Sequence, residues 1–306
     1  MIRIMVHLFA LDTIVSEKNK KSHLKKYISQ TNDERRKKMI SIQSVNHNED
    51  SFDLHSKEGV SYQISVYVPD TAPPQQGFPV LYVLDGNAFF RTFRDAVRLQ
   101  ARRSSKTNVL PMIVVGIGDA RREDFVSERR CYDFTPPSSS LKLPKKPNGE
   151  PWSETGGADT FLAFLEETLK PQILEHYPID TENEALFGHS LGGLFALYSL
   201  YTKPSLFSAY IASSPSLWWN ERAILAKEEE FRKNLHNETL HKKLFVSIGS
   251  EEKGHMVTDA QDLAKRFSAI NSSSFSFSFV EAKGENHMSV VLAVLSQSLR
   301  FISLRT

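Results

Sequence analysis

The sequence predicts an α/β fold with a mostly parallel central sheet. Its apolar segments are of two kinds: short unbroken runs that fit strands buried on both faces, and longer segments with the 3.6-residue period of amphipathic helices. The two kinds alternate along the chain from Pro79 onward. With 306 residues, 40% of them hydrophobic, the chain is long enough for one large core. We therefore expect a single domain, with helices on both faces of the sheet.

Residues 1–38 are predicted to be an extension that precedes the domain, which covers residues 39–306. Residues 1–15 are mostly apolar, but three charged or ionisable residues interrupt them and no small-residue cleavage site follows, which argues against a secretory signal. Residues 16–38 are polar and rich in lysine. Because such a segment has little to bury, we expect it to be disordered or weakly helical.

Charge and cysteine content exclude several classes of protein. The formal net charge of +2 is too even for a nucleic-acid-binding protein. Cys131 is the one cysteine, so no disulfide can form within the chain. A reducing compartment is therefore permitted, and we expect a cytoplasmic protein. No run of about 18 apolar residues occurs, so no membrane span is expected.

The first predicted elements are two antiparallel strands. Apolar and polar residues alternate over Phe52–Leu54 and again over Tyr62–Val68, and Lys57–Gly59 between them has the composition of a turn. A strand buried on both faces follows at Pro79–Leu84, and after a short turn the residues Ala88–Leu99 are predicted to form a helix.

The central part of the chain continues the alternation. A second buried strand at Leu110–Ile117 precedes the polar segment Asp119–Trp152, which we interpret as a long loop. Ala158–His176 has one apolar face and is predicted to be a helix that Pro171 bends or ends. Strands and helices then alternate to the C-terminus. They are predicted at residues 206–212, 220–240, 244–249, 256–270, 275–280 and 290–304.

The segment Glu184–Gly193 carries the clearest chemical motif. An apolar strand ends in GHSLGG and passes directly into an apolar helix. In such a turn a serine is held clear of the sheet in a strained conformation, where its hydroxyl can attack a carbonyl carbon. Gly188 and Gly192 are expected to avoid collisions where strand and helix pass closely. Ser190 is therefore predicted to be the nucleophile of an acyl-transfer reaction.

Two backbone N–H groups are predicted to stabilise the oxyanion that this attack creates. The helix after Ser190 directs its first N–H groups and the positive end of its dipole at that position, which points to Leu191. In this architecture the second donor comes from a turn after an earlier strand, here Asp85-Gly86-Asn87. We expect Asn87 to supply it.

The order of residues along the chain predicts an acid and a base. In this architecture the serine, the carboxylate and the histidine follow one another, each on a loop at a strand end. Glu252 is the first choice for the acid, because it follows the strand 244–249. Glu251 is the second choice and Asp259 the third, and a charged turn without a catalytic role is the alternative. His287, between the last strand and the last helix, is expected to be the general base.

Cationic and aromatic residues near the predicted strand ends suggest an anionic, aromatic substrate. Guanidinium groups bind oxygen anions well, although solvated surface charge is the alternative for most of these residues. Trp218 and Trp219 follow a strand, and either wall a pocket for a flat aromatic group or pack in the core. The cationic residues of the segment 119–152 are Arg121, Arg122, Arg129, Arg130, Lys142, Lys145 and Lys146.

Six segments together resemble a known family. They are PVLYVLDGNAFF (79–90), RRCYDFTPP (129–137), GGADTFLAFLEETLKPQI (156–173), FGHSLGG (187–193), SSPSLWWN (213–220) and GENHMS (284–289). From residue 40 onward the chain resembles the putative esterase family of α/β hydrolases. That family includes siderophore trilactone esterases that act on enterobactin-like and bacillibactin-like catecholates.

The resemblance implies an α/β-hydrolase fold, in which antiparallel N-terminal strands join a mostly parallel sheet. It implies the same nucleophile, base and oxyanion donors as the residue analysis. Arg130, three residues before Asp133, resembles an arginine that lies beside the catecholate in such esterases, and Trp218 resembles an aromatic wall. Some members of the family that the chain resembles work with a serine–histidine pair alone, so the resemblance leaves the role of Glu252 open.

These expectations converge on a metal-independent serine esterase that hydrolyses an iron-loaded triscatecholate siderophore and releases iron inside the cell. No cofactor is expected, since iron arrives as part of the substrate. Two alternatives remain, because one fold hosts many functions. The first is a carboxylesterase for another ester or thioester, such as an acylated sugar or a feruloyl ester. The second is a catalytically silent module that binds ferric catecholates.

Overall fold

A computed structural model of the protein describes residues 48–146, 149–235 and 241–304. The predicted extension, residues 1–38, lies outside these ranges, and its boundary with the domain stays a prediction. Residues 236–240, at the end of the helix predicted over 220–240, also lie outside them.

The strands of the described part of the chain form one eight-stranded sheet in the order β1-β2-β4-β3-β5-β6-β7-β8. They are β1 (Glu49–His55), β2 (Ser61–Tyr67), β3 (Phe78–Leu84), β4 (Ile113–Asp119), β5 (Ile179–His189), β6 (Ala209–Ser213), β7 (Lys242–Gly249) and β8 (Phe275–Ala282). β1 pairs with β2, and β2 with β4, in antiparallel fashion. All other neighbours are parallel, as predicted.

Helices connect the parallel strands. They are α1 (Gly86–Ala101), α2 (Ser104–Thr107), α3 (Ser127–Asp133), α4 (Ala158–Phe164), α5 (Lys170–His176), α6 (Leu191–Thr202), α7 (Trp219–Arg222), α8 (Ile224–Asn234), α9 (Gly254–Ser268) and α10 (Val290–Ser303), with a π-helical turn at Leu165–Leu169 and a 3₁₀ turn at Pro204–Leu206. Within the described ranges, none of them has the length and apolar character needed to cross a membrane.

One prediction about these elements was wrong. The segment predicted as one long loop contains the helix α3, whose seven residues bury only Cys131 and Asp133. The helix predicted over 158–176 is confirmed with the same bounds, since α4, the π-helical turn and α5 follow one another without a break. Pro171, which has no N–H to donate, lies in the first turn of α5, just after the π-helical turn.

The core explains why α1 and α10 lie together on one face of the sheet. Phe89, Phe90, Phe93 and Val97 recur at helical spacing on α1, and all are buried. They pack with Leu81 and Val83 of β3 and with the buried face of α10. Burying each side chain stabilises the fold by about 1.5–3 kcal/mol. Tyr82 lies between Leu81 and Val83 and points to the opposite face of the sheet. There it contacts Phe207 and donates a hydrogen bond to Glu184.

The parallel register brings the carboxyl ends of the central strands to one edge of the sheet. Leu84, His189, Ser213 and Gly249 are the last residues of β3, β5, β6 and β7. The residues that follow them, among them Asp85, Ser190 and Ser214, therefore share this edge. Ligand sites of open α/β sheets form at this position.

Candidate active site

Ser190 lies in the turn between β5 and α6, as predicted. Its backbone has φ 60° and ψ −115°, a conformation that strains a residue with a side chain by about 1–3 kcal/mol. Three hydrogen bonds hold that conformation: Ser190 N donates to Ser213 O (3.0 Å), and Ser190 O accepts from Leu194 N (3.0 Å) and Ser216 N (3.1 Å). The sheet and the helix together therefore fix the hydroxyl-bearing residue.

The glycine requirement of this turn is confirmed at Gly188 but not at Gly192. A Cβ atom at Gly188 would lie 2.0 Å from Gly192 O, so a side chain is impossible there. At Gly192 the nearest atom to such a Cβ would be 3.6 Å away, an ordinary contact, so the prediction for Gly192 was wrong. Gly193 is the tighter position, since its Cβ would lie 3.0 Å from Pro215 Cα and Ser213 O.

His287 and Glu252 form a hydrogen-bonded pair at the same edge. His287 Nδ1 lies 2.7 Å from Glu252 Oε2, and the carboxyl side chain is fully buried. Glu252 Oε1 accepts hydrogen bonds from Ser214 Oγ and from Gly249 N (2.9 Å). Burial favours a raised pKa for Glu252, but the hydrogen bonds from His287, Ser214 and Gly249 outweigh it and lower the pKa. The carboxylate is therefore ionised and can only accept, so His287 Nδ1 carries the proton of this hydrogen bond.

The hydroxyl of Ser190 is not bonded to this imidazole. Within the described ranges, no hydrogen bond joins Ser190 to His287, and Ser190 Oγ lies 3.4 Å from Ser216 Oγ instead. Catalytic hydrogen bonds often tighten only when substrate is bound. Ser216, which is buried, was not identified from the sequence. The serine-rich run that follows β6 is the signal that marks it.

The structure separates the three candidates for the acid. Glu251 has an exposed side chain, and its backbone N–H donates to Glu285 O. Asp259 lies on α9 and accepts a hydrogen bond from Arg222 Nε at 2.7 Å. Of the three carboxylates, Glu252 is the one that contacts His287.

The two predicted oxyanion donors lie at the first turns of helices. Leu191 is the first residue of α6 and Asn87 the second residue of α1, so neither N–H has an intrahelical acceptor. In the part of the chain that the structure describes, no acceptor is recorded for either group. Asn87 is held by its side chain, since Nδ2 donates to Asp119 O (3.0 Å) and Glu123 O (2.8 Å).

Arg130 is held by the protein. Its Nε donates to Asp85 Oδ1 (2.8 Å), its Nη2 donates to His189 O (3.2 Å), and its side chain is only 16% exposed. The guanidinium also lies against Phe125 and Phe134. Arg130 thereby connects the turn that carries Asn87 to the strand end that carries Ser190.

Asp85 was not identified from the sequence. It follows a buried strand and adopts φ 50°, a left-handed conformation that Asp tolerates better than most residues. Burial raises the pKa of its carboxyl, and Arg130 opposes that shift. Oδ1 accepts from Arg130, but Oδ2 is buried without a partner in the described residues. An acidic residue at the end of a central strand is the signal that marks this position.

Arg129, next to Arg130 on α3, is also neutralised. It forms an ion pair with Asp133 and donates to Tyr62 OH at 3.1 Å. Burial raises the pKa of Asp133 to about 6, although Arg129 opposes this shift. Both arginines of the RRCYD segment therefore fix α3 to the sheet.

Three tryptophans form a cluster beside the strand end that carries Ser216. The ring of Trp152 lies 6.2 Å from that of Trp218 and 5.1 Å from that of Trp219. Trp219 is buried, whereas Trp218 is only partly buried. Lys146 Nζ lies 5.2 Å from the centre of the Trp152 ring. Trp218 also packs against the buried cluster of Ile248, Met256 and Ala260, and its role as an aromatic wall stays a prediction.

Comparison with known proteins gives a consistent result. The model of the family described as "Putative esterase" matches residues 56–291. The chain is 42% identical over 247 residues to the ferri-bacillibactin esterase BesA of Bacillus subtilis, which covers 80% of this chain and 85% of that protein. It is 38% identical over 212 residues to a siderophore enterobactin esterase of Emericella nidulans, which covers 66% and 69%.

Two solved structures have the same fold as this chain. The BES protein of Bacillus cereus superposes with a TM-score of 0.82 at 47% identity, over 86% of this chain and 98% of that one. The enterobactin and salmochelin hydrolase IroE superposes with a TM-score of 0.65 at 27% identity, over 86% and 98%.

Proposed function

Since this chain belongs to the putative esterase family and is a carboxylic ester hydrolase, we propose that it hydrolyses the ester bonds of a ferric triscatecholate siderophore of the bacillibactin or enterobactin type. One observation carries the proposal. A strained serine elbow stands beside a hydrogen-bonded histidine–glutamate pair, in a chain that is 42% identical to a ferri-bacillibactin esterase.

The proposed reaction begins at Ser190. Its Oγ attacks a lactone carbonyl carbon while His287 Nε2 takes the hydroxyl proton. The N–H groups of Asn87 and Leu191 stabilise the oxyanion. The imidazolium then gives its proton to the leaving alkoxide, so that the ester bond breaks and an acyl-enzyme remains. A water molecule, deprotonated by His287, attacks the acyl-enzyme, releases the acid and restores the Ser190 hydroxyl.

Glu252 assists this cycle without taking a proton. Because its pKa is lowered, it stays ionised and stabilises the imidazolium that forms at His287. Its bond to Nδ1 also leaves the lone pair on Nε2, which is the nitrogen that must accept the proton from Ser190.

Substrate recognition is assigned to the two sides of Ser190. Nη1 of Arg130 has no recorded acceptor in the described residues, so it is available to a catecholate oxygen even though Nε and Nη2 are occupied. On the other side, Trp218 and Trp152 offer aromatic faces to a catechol ring, and Lys146 adds positive charge. Iron enters with the substrate, and the ester cleavage needs no further cofactor.

The proposal includes release of iron in the cytoplasm. Fractionation of cells that produce the protein tests this point: recovery in the cytosolic fraction supports it, and recovery in the medium contradicts it.

Product analysis of purified protein tests the proposed function. Ferric bacillibactin, ferric enterobactin and short p-nitrophenyl esters are incubated with the wild type, with Ser190→Ala and with the control Ser205→Ala, whose serine is exposed on the 3₁₀ turn. We expect linear products from a ferric trilactone with the wild type and the control, and none with Ser190→Ala. Binding of the ferric complex is followed by quenching of tryptophan fluorescence.

Two outcomes would favour the alternatives. If short p-nitrophenyl esters were hydrolysed far faster than either trilactone, the chain would be a carboxylesterase for another substrate. If the wild type bound the ferric complex but hydrolysed neither class of ester, it would be a binding module.

A further inference from the structure

His189 is a buried histidine that the proposed mechanism does not use. It precedes Ser190 directly and is only 2% exposed. Its Nε2 lies 2.7 Å from the backbone carbonyl oxygen of His287, and the two imidazole rings are 4.6 Å apart. The neighbour of the proposed nucleophile therefore contacts the backbone of the proposed base.

The contact defines the protonation of the His189 ring. A carbonyl oxygen can only accept a hydrogen bond, so Nε2 must carry the proton and Nδ1 must be bare. Nδ1 is buried and has no partner in the described residues, so a second proton there would be unsolvated. Burial, followed by His287, lowers the pKa of His189 to about 3; Arg130 acts in the same direction, whereas the carbonyl bond and Glu252 oppose it. The ring is a permanent neutral donor.

The His189 backbone is rigidly placed. It pairs with Ser213 of β6 in the parallel ladder, and its carbonyl oxygen accepts the bond from Arg130 Nη2. The loop that bears His287 has its own hydrogen bonds on either side of that residue: Glu251 N donates to Glu285 O, and Met288 N donates to the side chain of Asn286. Glu252 holds only the imidazole of His287, whereas His189 holds its main chain.

We propose that His189 is a positioning residue, whose Nε2–H fixes the His287 main chain at the distance from Ser190 that proton transfer requires. Because His189 and Ser190 share a peptide bond, this hydrogen bond connects nucleophile and base through one residue. The proposal rests on the assignment of His287 as base and goes beyond it.

Two substitutions distinguish the effect of the Nε2–H donor from the effect of the side chain's volume. His189→Gln keeps an N–H2 group at about the position of Nε2, whereas His189→Leu keeps the volume and removes the donor. The matched control is His176→Leu. His176 is a half-buried histidine on α5 whose Nδ1 lies 2.8 Å from the backbone oxygen of Gln172, remote from the strand ends.

Steady-state kinetics with a p-nitrophenyl ester and with a ferric trilactone give the test. We expect His189→Leu to lower kcat about a hundredfold on both substrates with KM within about twofold, because a misplacement of about 1 Å has an effect of this size. His189→Gln should regain most of the loss, and His176→Leu should match the wild type. Midpoints of thermal unfolding establish that the variants are folded.

Two kinetic results would overturn the proposal. One is a kcat within about twofold of wild type for folded His189→Leu. The other is equal loss in His189→Gln and His189→Leu at equal thermal stability, which would assign the effect to the ring alone. Because the p-nitrophenyl ester reports on the serine chemistry, failure of the siderophore substrate would not be mistaken for failure of this proposal.

A measurement on the wild type covers the case in which His189→Leu does not fold. Nitrogen-15 NMR of histidine-labelled protein should show one ring with a proton on Nε2, a bare Nδ1 and no titration between pH 5 and 8. The groups that face this ring are His287, Arg130 and Glu252. A proton on Nδ1, or titration near pH 6, would contradict the permanent donor and with it the proposal.

Discussion

Two buried carboxylates flank Ser190, and they behave differently. Glu252 and Asp85 both follow central strands, and burial favours a raised pKa for both. Glu252 accepts three hydrogen bonds, which lower its pKa. Among the described residues, the carboxyl of Asp85 accepts a hydrogen bond at Oδ1 alone, from Arg130, and its pKa is raised.

Of these two carboxylates, the one with more hydrogen bonds has the lowered pKa, and the one that is paired with a single cation has the raised pKa. Glu252 is fully satisfied and faces a titratable partner, so it suits a site where positive charge appears during each turnover. Asp85 faces a permanent cation and holds the oxyanion turn in place. We infer a catalytic carboxylate on one side and a structural one on the other.

The largest expected effect is a difference in kcat between variants of Glu252 and variants of Asp85. Glu252→Gln should lower kcat about 10³- to 10⁴-fold, because the amide no longer stabilises the imidazolium or enforces the Nδ1–H tautomer. Asp85→Asn should lower kcat only about tenfold. Turnover of a p-nitrophenyl ester by both purified variants gives the comparison. Equal losses would remove the distinction, and a small loss in Glu252→Gln alone would indicate a serine–histidine pair without an acid.

The next effect concerns the free energy of unfolding, to which we expect the Asp85–Arg130 pair to contribute. Arg130→Met leaves Asp85 buried and unpaired, and should lower the free energy of unfolding by about 3–5 kcal/mol. Adding Asp85→Asn to Arg130→Met should restore part of that loss, since the unpaired charge is then removed. Urea unfolding of the two single variants and the double variant measures this coupling. Strictly additive losses would show that the pair makes no net contribution.

Much of the site could be predicted because strand order constrains it. Ser190, Glu252 and His287 are far apart in the sequence, but each follows a strand of the parallel sheet, and the structure brings those strand ends together. Alternation of apolar and polar residues marked β1 and β2, and unbroken apolar runs marked most of the buried strands within a few residues. Both inferences depend on local patterns that a single sequence contains.

The parts that could not be predicted depend on contacts between distant residues. Arg130 was predicted to face a ligand, but its partner Asp85 is 45 positions away and no local pattern connects them. The helix α3 was missed because its few buried positions include Asp133, which hides the apolar periodicity. The tight contact at Gly193 arises from the chain after β6, which the GHSLGG motif does not contain.

The smallest expected effect concerns the pH dependence of stability. It tests the environment of His189, which contacts His287 on the Glu252 side of Ser190. His189 has a pKa of about 3 in the folded protein and near 6.5 when unfolded, so between these values the unfolded chain binds more protons. Stability should therefore fall as the pH drops from 6.5. The wild type should lose about 1.6 kcal/mol more than His189→Gln between pH 6.5 and 5, because the slope approaches about 1.4 kcal/mol per pH unit only below pH 6.5. Parallel curves from urea unfolding would contradict this.

Labelling of the nucleophile tests the central claim most directly. The protein is treated with a fluorophosphonate, with and without a ferric trilactone, and the modified residue is located by mass spectrometry. We predict one phosphonyl group per chain, on Ser190, with a rate that the ferric trilactone suppresses. Labelling of Ser216, whose Oγ lies 3.4 Å from that of Ser190, or labelling that the trilactone does not slow, would contradict the account.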